Sequence, residues 1–573
     1  MVLPTSPPAS MSVSQILAEF GITAGTTKRI SNDLFPLVGG TAGLTCLLGA
    51  SFSGKSAVAK VGYSTFGGTG ADTGYSITVD SAGNIYITGS YFSTSTVPIN
   101  TFGATPTASG VSLPITTGTD AFVIKWLANG TLAGYSTIAG TGTDIGQSIA
   151  VDSSQNIYIT GRYNSTAVVP INTFGTAPTA SGFSMGISTG VDAFVIKWRA
   201  NGTLAGYSQL VGGTGTDVGQ SIAVDSSQNI YITGQYISTS TVLITTFGTP
   251  PTNTGVFMPN TNASNSIDGF VIKWNGSTGA VAGYSTIKGT GSDIGQGIAV
   301  DSSQNIYITG QYTSGTTVQL NTFGTAPAPS GVIMPATAGG TDAFVVKWNA
   351  AGGAVAGYAT IRGNGNDVGY GIAVDSSQNI YITGQYVSST TVAITNFSTT
   401  PFASGVSLPA SLGVGFSDVF VIKWTGSTGA VAGYSTIRGT DNDIGYGIAV
   451  DSSQNIYVTG SYISTTTVPI NTFGTAPTAS GVSLPITTGT DAFVIKWLAN
   501  GTVAGYTNIK GTGADQGNGI AVDSSQNIYI TGSYISTTTV PINTFGTAPT
   551  ASGVSLPITV STTSDAFVIK WIP

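Results

Sequence analysis

The chain has no histidine and a single cysteine, Cys46, which excludes a disulfide framework, a Cys/His zinc site and any nucleophile activated by histidine. Charge is scarce as well. Only 7% of residues are charged, 17 basic against 24 acidic, for a formal net charge of −7. No basic surface is therefore expected that would neutralise a phosphate backbone or an anionic bilayer, so neither nucleic acid nor membrane is an expected partner. No stretch approaches about 18 uninterrupted apolar residues, and Met1 to Gln15 lacks a basic stretch followed by an apolar run. Neither a spanning helix nor a conventional secretion signal is expected.

What the chain does have is glycine, 80 residues of it, among abundant Ser, Thr, Val and Ile, a composition of short strands and turns. The phrase Gly-Tyr-Ser, or a close variant, recurs with its tyrosine at Tyr63, Tyr135, Tyr207, Tyr284, Tyr358, Tyr434 and Tyr506. The intervals are 72, 72, 77, 74, 76 and 72 residues, so seven units follow one another. Each unit carries four strand signals: in the second, Ser148 to Val151, Asn156 to Thr160, Ala193 to Trp198 and the run around Tyr207. Between the first two lies Asp152-Ser-Ser-Gln-Asn156, where the aspartate accepts backbone N–H bonds and closes a tight hairpin. Four strands per unit make one propeller blade. The last unit ends on its third strand, while an orphan fourth strand, Val61 to Phe66, precedes the first, so the two ends are expected to pair in a three-plus-one closure. The predicted architecture is all-β: a seven-bladed β-propeller over residues 58–573, behind an N-terminal segment of residues 1–57.

The residues that carry this pattern, IAVDSSQNIYITG, then DAFVIKW, then GYSTI, resemble the bacterial β-propeller repeat family called SBBP, and more distantly NHL repeats. The resemblance implies the architecture; its members share a fold and not a reaction.

Residues 1–57 do not fit the repeat. Met11-Ser-Val-Ser-Gln-Ile-Leu-Ala-Glu-Phe-Gly21 followed by Ile30-Ser-Asn-Asp-Leu-Phe35 is similar to the "ISLSQIxxEFG … ISLSDLY" segment at the N-termini of structural proteins of tailed phages and large DNA viruses. That resemblance implies docking onto a particle through Ile16, Leu17, Phe20, Leu34 and Phe35. Read from the residues alone, Ser14 caps a short helix whose stripe of Ile16, Leu17 and Phe20 ends at Gly21, and the competing expectation is that it packs on the propeller. Gly49 to Ser56 satisfies a phosphate-loop pattern, but no helix and no parallel sheet are expected after it, so it reads as a chance product of a Gly/Ser-rich linker.

Of the 24 acidic residues, 21 are three repeated aspartates. Those of the Asp152 type and of the Asp192 type stand at turns and strand starts, where they satisfy backbone donors. The third set is Asp72, Asp144, Asp217, Asp293, Asp367, Asp443 and Asp515, in the Gly-rich connections between blades. These carboxylates are expected to ring the channel mouth as a binding face, held apart by loop amides or by a cation such as calcium. The lack of dense alternating carboxylates favours loop amides, so no cofactor is expected. The seven tryptophans, each in a Val-Ile-Lys-Trp or Val-Val-Lys-Trp run, read as packing between blades. Segments of about 30 residues between second and third strands, such as Tyr91 to Thr119, are too long for bare turns and are expected to be extra strands or functional loops on the face of the Asp144-type connections.

Catalysis needs an asymmetric constellation, whereas the stretch Thr96 to Ala128 recurs as Thr467 to Ala499 with only Ala104-Thr105 exchanged for Thr475-Ala476. Repetition suits multivalent contact, and no enzyme activity is expected. The expected function is that of a virion structural protein, docked through residues 1–57 onto other capsid proteins and displaying the propeller toward a host glycan or surface protein. The alternative is a bacterial cell-surface or secreted adhesin.

Overall fold

The computed structural model describes residues 61–572 except 189, 212–214, 262–265, 338, 414 and 560–561. Expectations placed on residues 1–57, the docking side chains and the phosphate-loop pattern among them, lie outside the described residues. Strands form where β-branched and aromatic residues run together: the first blade is Thr73–Val79, Ile85–Tyr91, Asp120–Trp126 and Leu132–Ile138, ordered from the axis outward and antiparallel throughout. Registers such as Ile87 opposite Ile124 repeat from blade to blade. The two middle strands are buried on both faces, because each blade is sandwiched between two others, and so read as nearly continuous apolar runs.

Seven such sheets are present, and the seventh closes the ring as expected. Val61–Phe66 pairs with Asp565–Trp571, with Val61 opposite Trp571 and Phe66 opposite Ala566. There is no helix among the described residues.

Four strands form each blade as expected, and the segment between the second and third takes the first of its two expected forms, adding two strands to each repeat. The segment between second and third strands folds into a hairpin, Val97–Asn100 with Ala108–Leu113 in the first repeat, because Val97, Ile99 and Leu113 are buried and anchor it. This hairpin does not extend its own blade. In the second repeat, Ile171 of the hairpin pairs with Ile138, on the outer strand of the first blade, and Tyr135 exchanges backbone hydrogen bonds with Gly175. The same Tyr-to-hairpin bridge recurs at all seven outer strands, so the outward edge of every blade is covered by the next repeat. In the first six repeats the hairpin then runs the height of the ring, as where Phe102 N donates to Gly130 O in the turn after the third strand.

Blades are joined through side chains that alternate along the third strand. Ala121, Val123 and Ile138 of the first blade share one core with Phe194, Ile196 and Trp198 of the second. Trp198 Nε1 donates to Asn172 O at 2.7 Å, which ties the tryptophan to the hairpin. Nearer the axis, Gly146 lies against Thr88 of the preceding blade, and a methyl group there would meet Thr88 Oγ1. The same glycine–threonine contact recurs around the ring, for example at Gly219 with Thr160 and Gly295 with Thr233.

Candidate functional site

The propeller has two faces. One carries the blade-to-blade connections; the other carries the turns between first and second strands and between third and fourth.

On the connection face, the Asp72 set occupies the bend that leads from one blade into the next. Asp144 Oδ2 accepts from Gly140 N at 2.5 Å and Oδ1 from Asn164 N at 3.0 Å, and its own N–H donates to Thr119 O. All seven members, Asp72, Asp144, Asp217, Asp293, Asp367, Asp443 and Asp515, are fully buried. The ring is therefore not an exposed one at the channel mouth: the glycines let the chain fold tightly over the carboxylates, and loop amides of the kind favoured by the sequence reach their oxygens, as at Asp144 and Asp293. Burial pushes Asp293, Asp367 and Asp443 up to about 8, and loop amides pull the other way.

The Asp120 set begins each third strand on this face and is buried opposite a tyrosine, Tyr91 facing Asp120 in register. Here the seven blades are unequal. After the outer strand stand Lys288, Arg362 and Arg438 in three successive blades, forming ion pairs with Asp268 at 4.0 Å, Asp342 at 3.1 Å and Asp418 at 3.4 Å. Arg362 and Arg438 also donate to Ala336 O and Ala410 O, and Lys510 to Ile486 O, so these cations pin the strand-to-strand loops. In the first two blades the corresponding residues are Ala139 and Val211. Burial raises Asp120, which has no such cation, to about 7, and Asp418, beside Arg438, to about 6.

At the axis, the third residue of each inner strand varies between tyrosine and amide: Tyr75, Gln147, Gln220, Gln296, Tyr370, Tyr446 and Asn518, all partly buried. Tyr370 and Tyr446 contact ring to ring at 5.5 Å, and Asn518 Nδ2 donates to Gly74 O across the blade boundary.

On the turn face, Asp152 organises its hairpin. Oδ1 accepts from Ser154 N and Asn156 N, both at 2.9 Å, and Oδ2 from Asn156 Nδ2 at 2.7 Å and Tyr158 OH at 2.8 Å. Gln155 takes φ 62°, a left-handed conformation that the first repeat gives to Gly83. The glutamine offsets this strain across the blade boundary: Lys125 Nζ lies 4.8 Å from the centre of the Tyr86 ring and donates to Gln155 Oε1. A cavity of about 420 Å³ opens between the second and third blades, lined by Asn156, Lys197, Arg199, Gln228 and Phe247 together with Gly276–Gly279. Periodic charges do not point to Arg199, because it is a charge that breaks the period. No three Asp, Glu, His or Cys side chains come together as a metal cluster among the described residues.

Seven stretches, residues 66–90, 131–165, 206–235, 282–315, 357–385, 432–461 and 505–533, match the family model described as SBBP: Beta-propeller repeat. An uncharacterized WD repeat-containing protein of Acanthamoeba polyphaga mimivirus is 25% identical over 407 residues, which are 64% of this chain and 28% of that protein. The chain thus spans under a third of that relative's length. Among solved structures, a GH43_12 from capybara gut metagenome is 8% identical, covering 89% of this chain and 98% of the other, with a TM-score of 0.16. Domains 4–9 of surface layer protein SbsC are 10% identical over 78% of this chain and 97% of the other, with a TM-score of 0.07. Neither superposition bears on fold or function.

Proposed function

We propose that this chain of seven SBBP repeats is a non-enzymatic virion structural protein, anchored to other capsid components through residues 1–57 and displaying its propeller toward a host glycan or surface protein. The observation that carries the non-catalytic part is the use made of the periodic acids. The Asp152 type holds its own hairpin, and the Asp144 type its own connection, through backbone amides of the same repeat. Carboxylates of these two sets, committed alike from repeat to repeat, supply no pair with divergent environments to serve as acid and base. The virion part is supported by the viral relative and by the likeness of Met11 to Phe35 to docking segments of viral structural proteins.

The test is incorporation. Full-length chain carrying Leu17→Asp and Phe20→Asp is expressed in the producing system, and purified particles are quantified by mass spectrometry. Loss of the variant from particles, with the propeller still folded by circular dichroism, is the expected result. Unchanged incorporation contradicts docking through this segment, and accumulation of the parent protein on a cell surface or in the medium, absent from particles, favours the adhesin.

A further inference from the structure

On the turn face between the second and third blades, the second repeat carries a residue type that no other repeat has at that position. After the tryptophan of the third strand the repeats carry Leu127, Asn275, Asn349, Thr425, Leu498 and Ile572, but the second carries Arg199. That arginine lines the cavity of about 420 Å³ in company with Lys197. Lys197 is only 8% exposed, yet its Nζ is turned to neutral groups alone: it donates to Gln228 Oε1 at 2.9 Å and lies 4.7 Å from the centre of the Tyr158 ring. Arg199 is exposed and donates once, from Nη1 to Leu204 O at 3.0 Å.

Neither cation forms an ion pair among the described residues. The acids of the flanking turns do not neutralise them at short range, since the oxygens of Asp152 and Asp225 are engaged by amides and hydroxyls of their own hairpins. Burial and the charge of Arg199 hold Lys197 below the usual lysine range, and the charge of Asp152 opposes them. In a chain of net charge −7, two cations without carboxylate partners in one cavity form a site for an anion. The remaining lining is suited to a sugar: Phe247 offers an aromatic ring, and Gln228, Ser277 and Thr278 offer amide and hydroxyl groups.

We infer that the cleft between the second and third blades binds a saccharide carrying a carboxylate or sulfate group, its anion held by Arg199 and Lys197 and its ring set against Phe247. The inference rests on the reading of the propeller as a displayed binding body, but its test uses purified full-length protein, so particle association succeeds or fails separately. Binding of glucuronate, glucose 6-sulfate, glucose and inorganic sulfate is measured by calorimetry and by ligand-observed NMR. At least one of the two acidic sugars binds saturably and in preference to both glucose and inorganic sulfate. Arg199→Leu, which installs the residue type that the first and sixth repeats carry at this position, weakens that binding by about tenfold, the scale of one charge-assisted hydrogen bond, without lowering the melting temperature. Acidic sugars binding no better than glucose, inorganic sulfate binding as tightly as they do, or an Arg199→Leu variant of unchanged affinity would each overturn the assignment. Should Arg199→Leu lose stability, raising the salt concentration on the unmodified protein decides the same question: an ion-paired ligand weakens with salt, whereas affinity that ignores salt overturns the assignment.

Discussion

At the scale of single residues, the repeat is held by small groups in fixed places more than by charge. Gly219 is required because its neighbour across the blade boundary is the hydroxyl of Thr160, which itself donates to Phe194 O at 2.8 Å and has nowhere to move. Gly219→Ala is expected to lower unfolding stability by about 1–3 kcal/mol, the range for inserting a methyl into a filled core. The denaturant midpoint reads the loss, and adding Thr160→Ala to the variant is expected to recover part of it, since residues in contact are not additive. An alanine variant as stable as the parent would show that the inner strands have slack. The periodic aspartates were visible in the sequence, but their burial was not: whether a carboxylate faces a channel or its own loop depends on how glycines such as Gly140 fold the chain over it. Arg199 was not legible in that way: it is one of several cations that break the period, Arg162 and Lys288 among them, and only the structure sets it in a cavity beside Lys197.

At the scale of elements, the strands of each blade were legible because their apolar runs are bounded by Asp-Ser-Ser-Gln-Asn and by the Lys-Trp ending. The rim hairpins were less so. Their few anchors, Val97, Ile99 and Leu113, stand in a tract rich in Thr, Ser and Pro, and their partner strand lies in the preceding repeat, a long-range pairing that local pattern does not encode. The consequence is an edge-protection device. Replacing Val169–Met185 by a short Gly/Ser link removes the strand beside Leu132–Ile138 and the acceptor of Trp198 Nε1. Concentration-dependent association in size-exclusion chromatography with light scattering is the expected outcome, as for any long exposed edge. A variant as monodisperse as the parent would mean that the hairpin does not protect that edge.

At the scale of the whole molecule, the buried aspartates of the connection face set how stability follows pH. Folding raises these groups, to about 6 for Asp144 and Asp192, about 7 for Asp72, Asp120 and Asp515, and about 8 for Asp293, Asp367 and Asp443. The folded state therefore holds more protons than the unfolded one between the ordinary aspartate value, about 4, and about 8. Their contribution to stability is present in full below that lower value and is lost as pH rises through 6 to 8, so the melting temperature is expected to fall from pH 5 to pH 8. A melting temperature that climbs over this window would mean that loop amides hold these carboxylates ionised. The ring is closed by Val61–Phe66 on Asp565–Trp571, and in the proposed role residues 1–57 serve for attachment. The most direct test of that role is to purify particles from the producing system, identify their proteins by mass spectrometry and image them by cryo-electron microscopy. The account predicts this chain among the particle proteins and a seven-bladed disc in density at the particle surface. Particles without the chain, and the chain recovered instead from cell surfaces or medium, would contradict it.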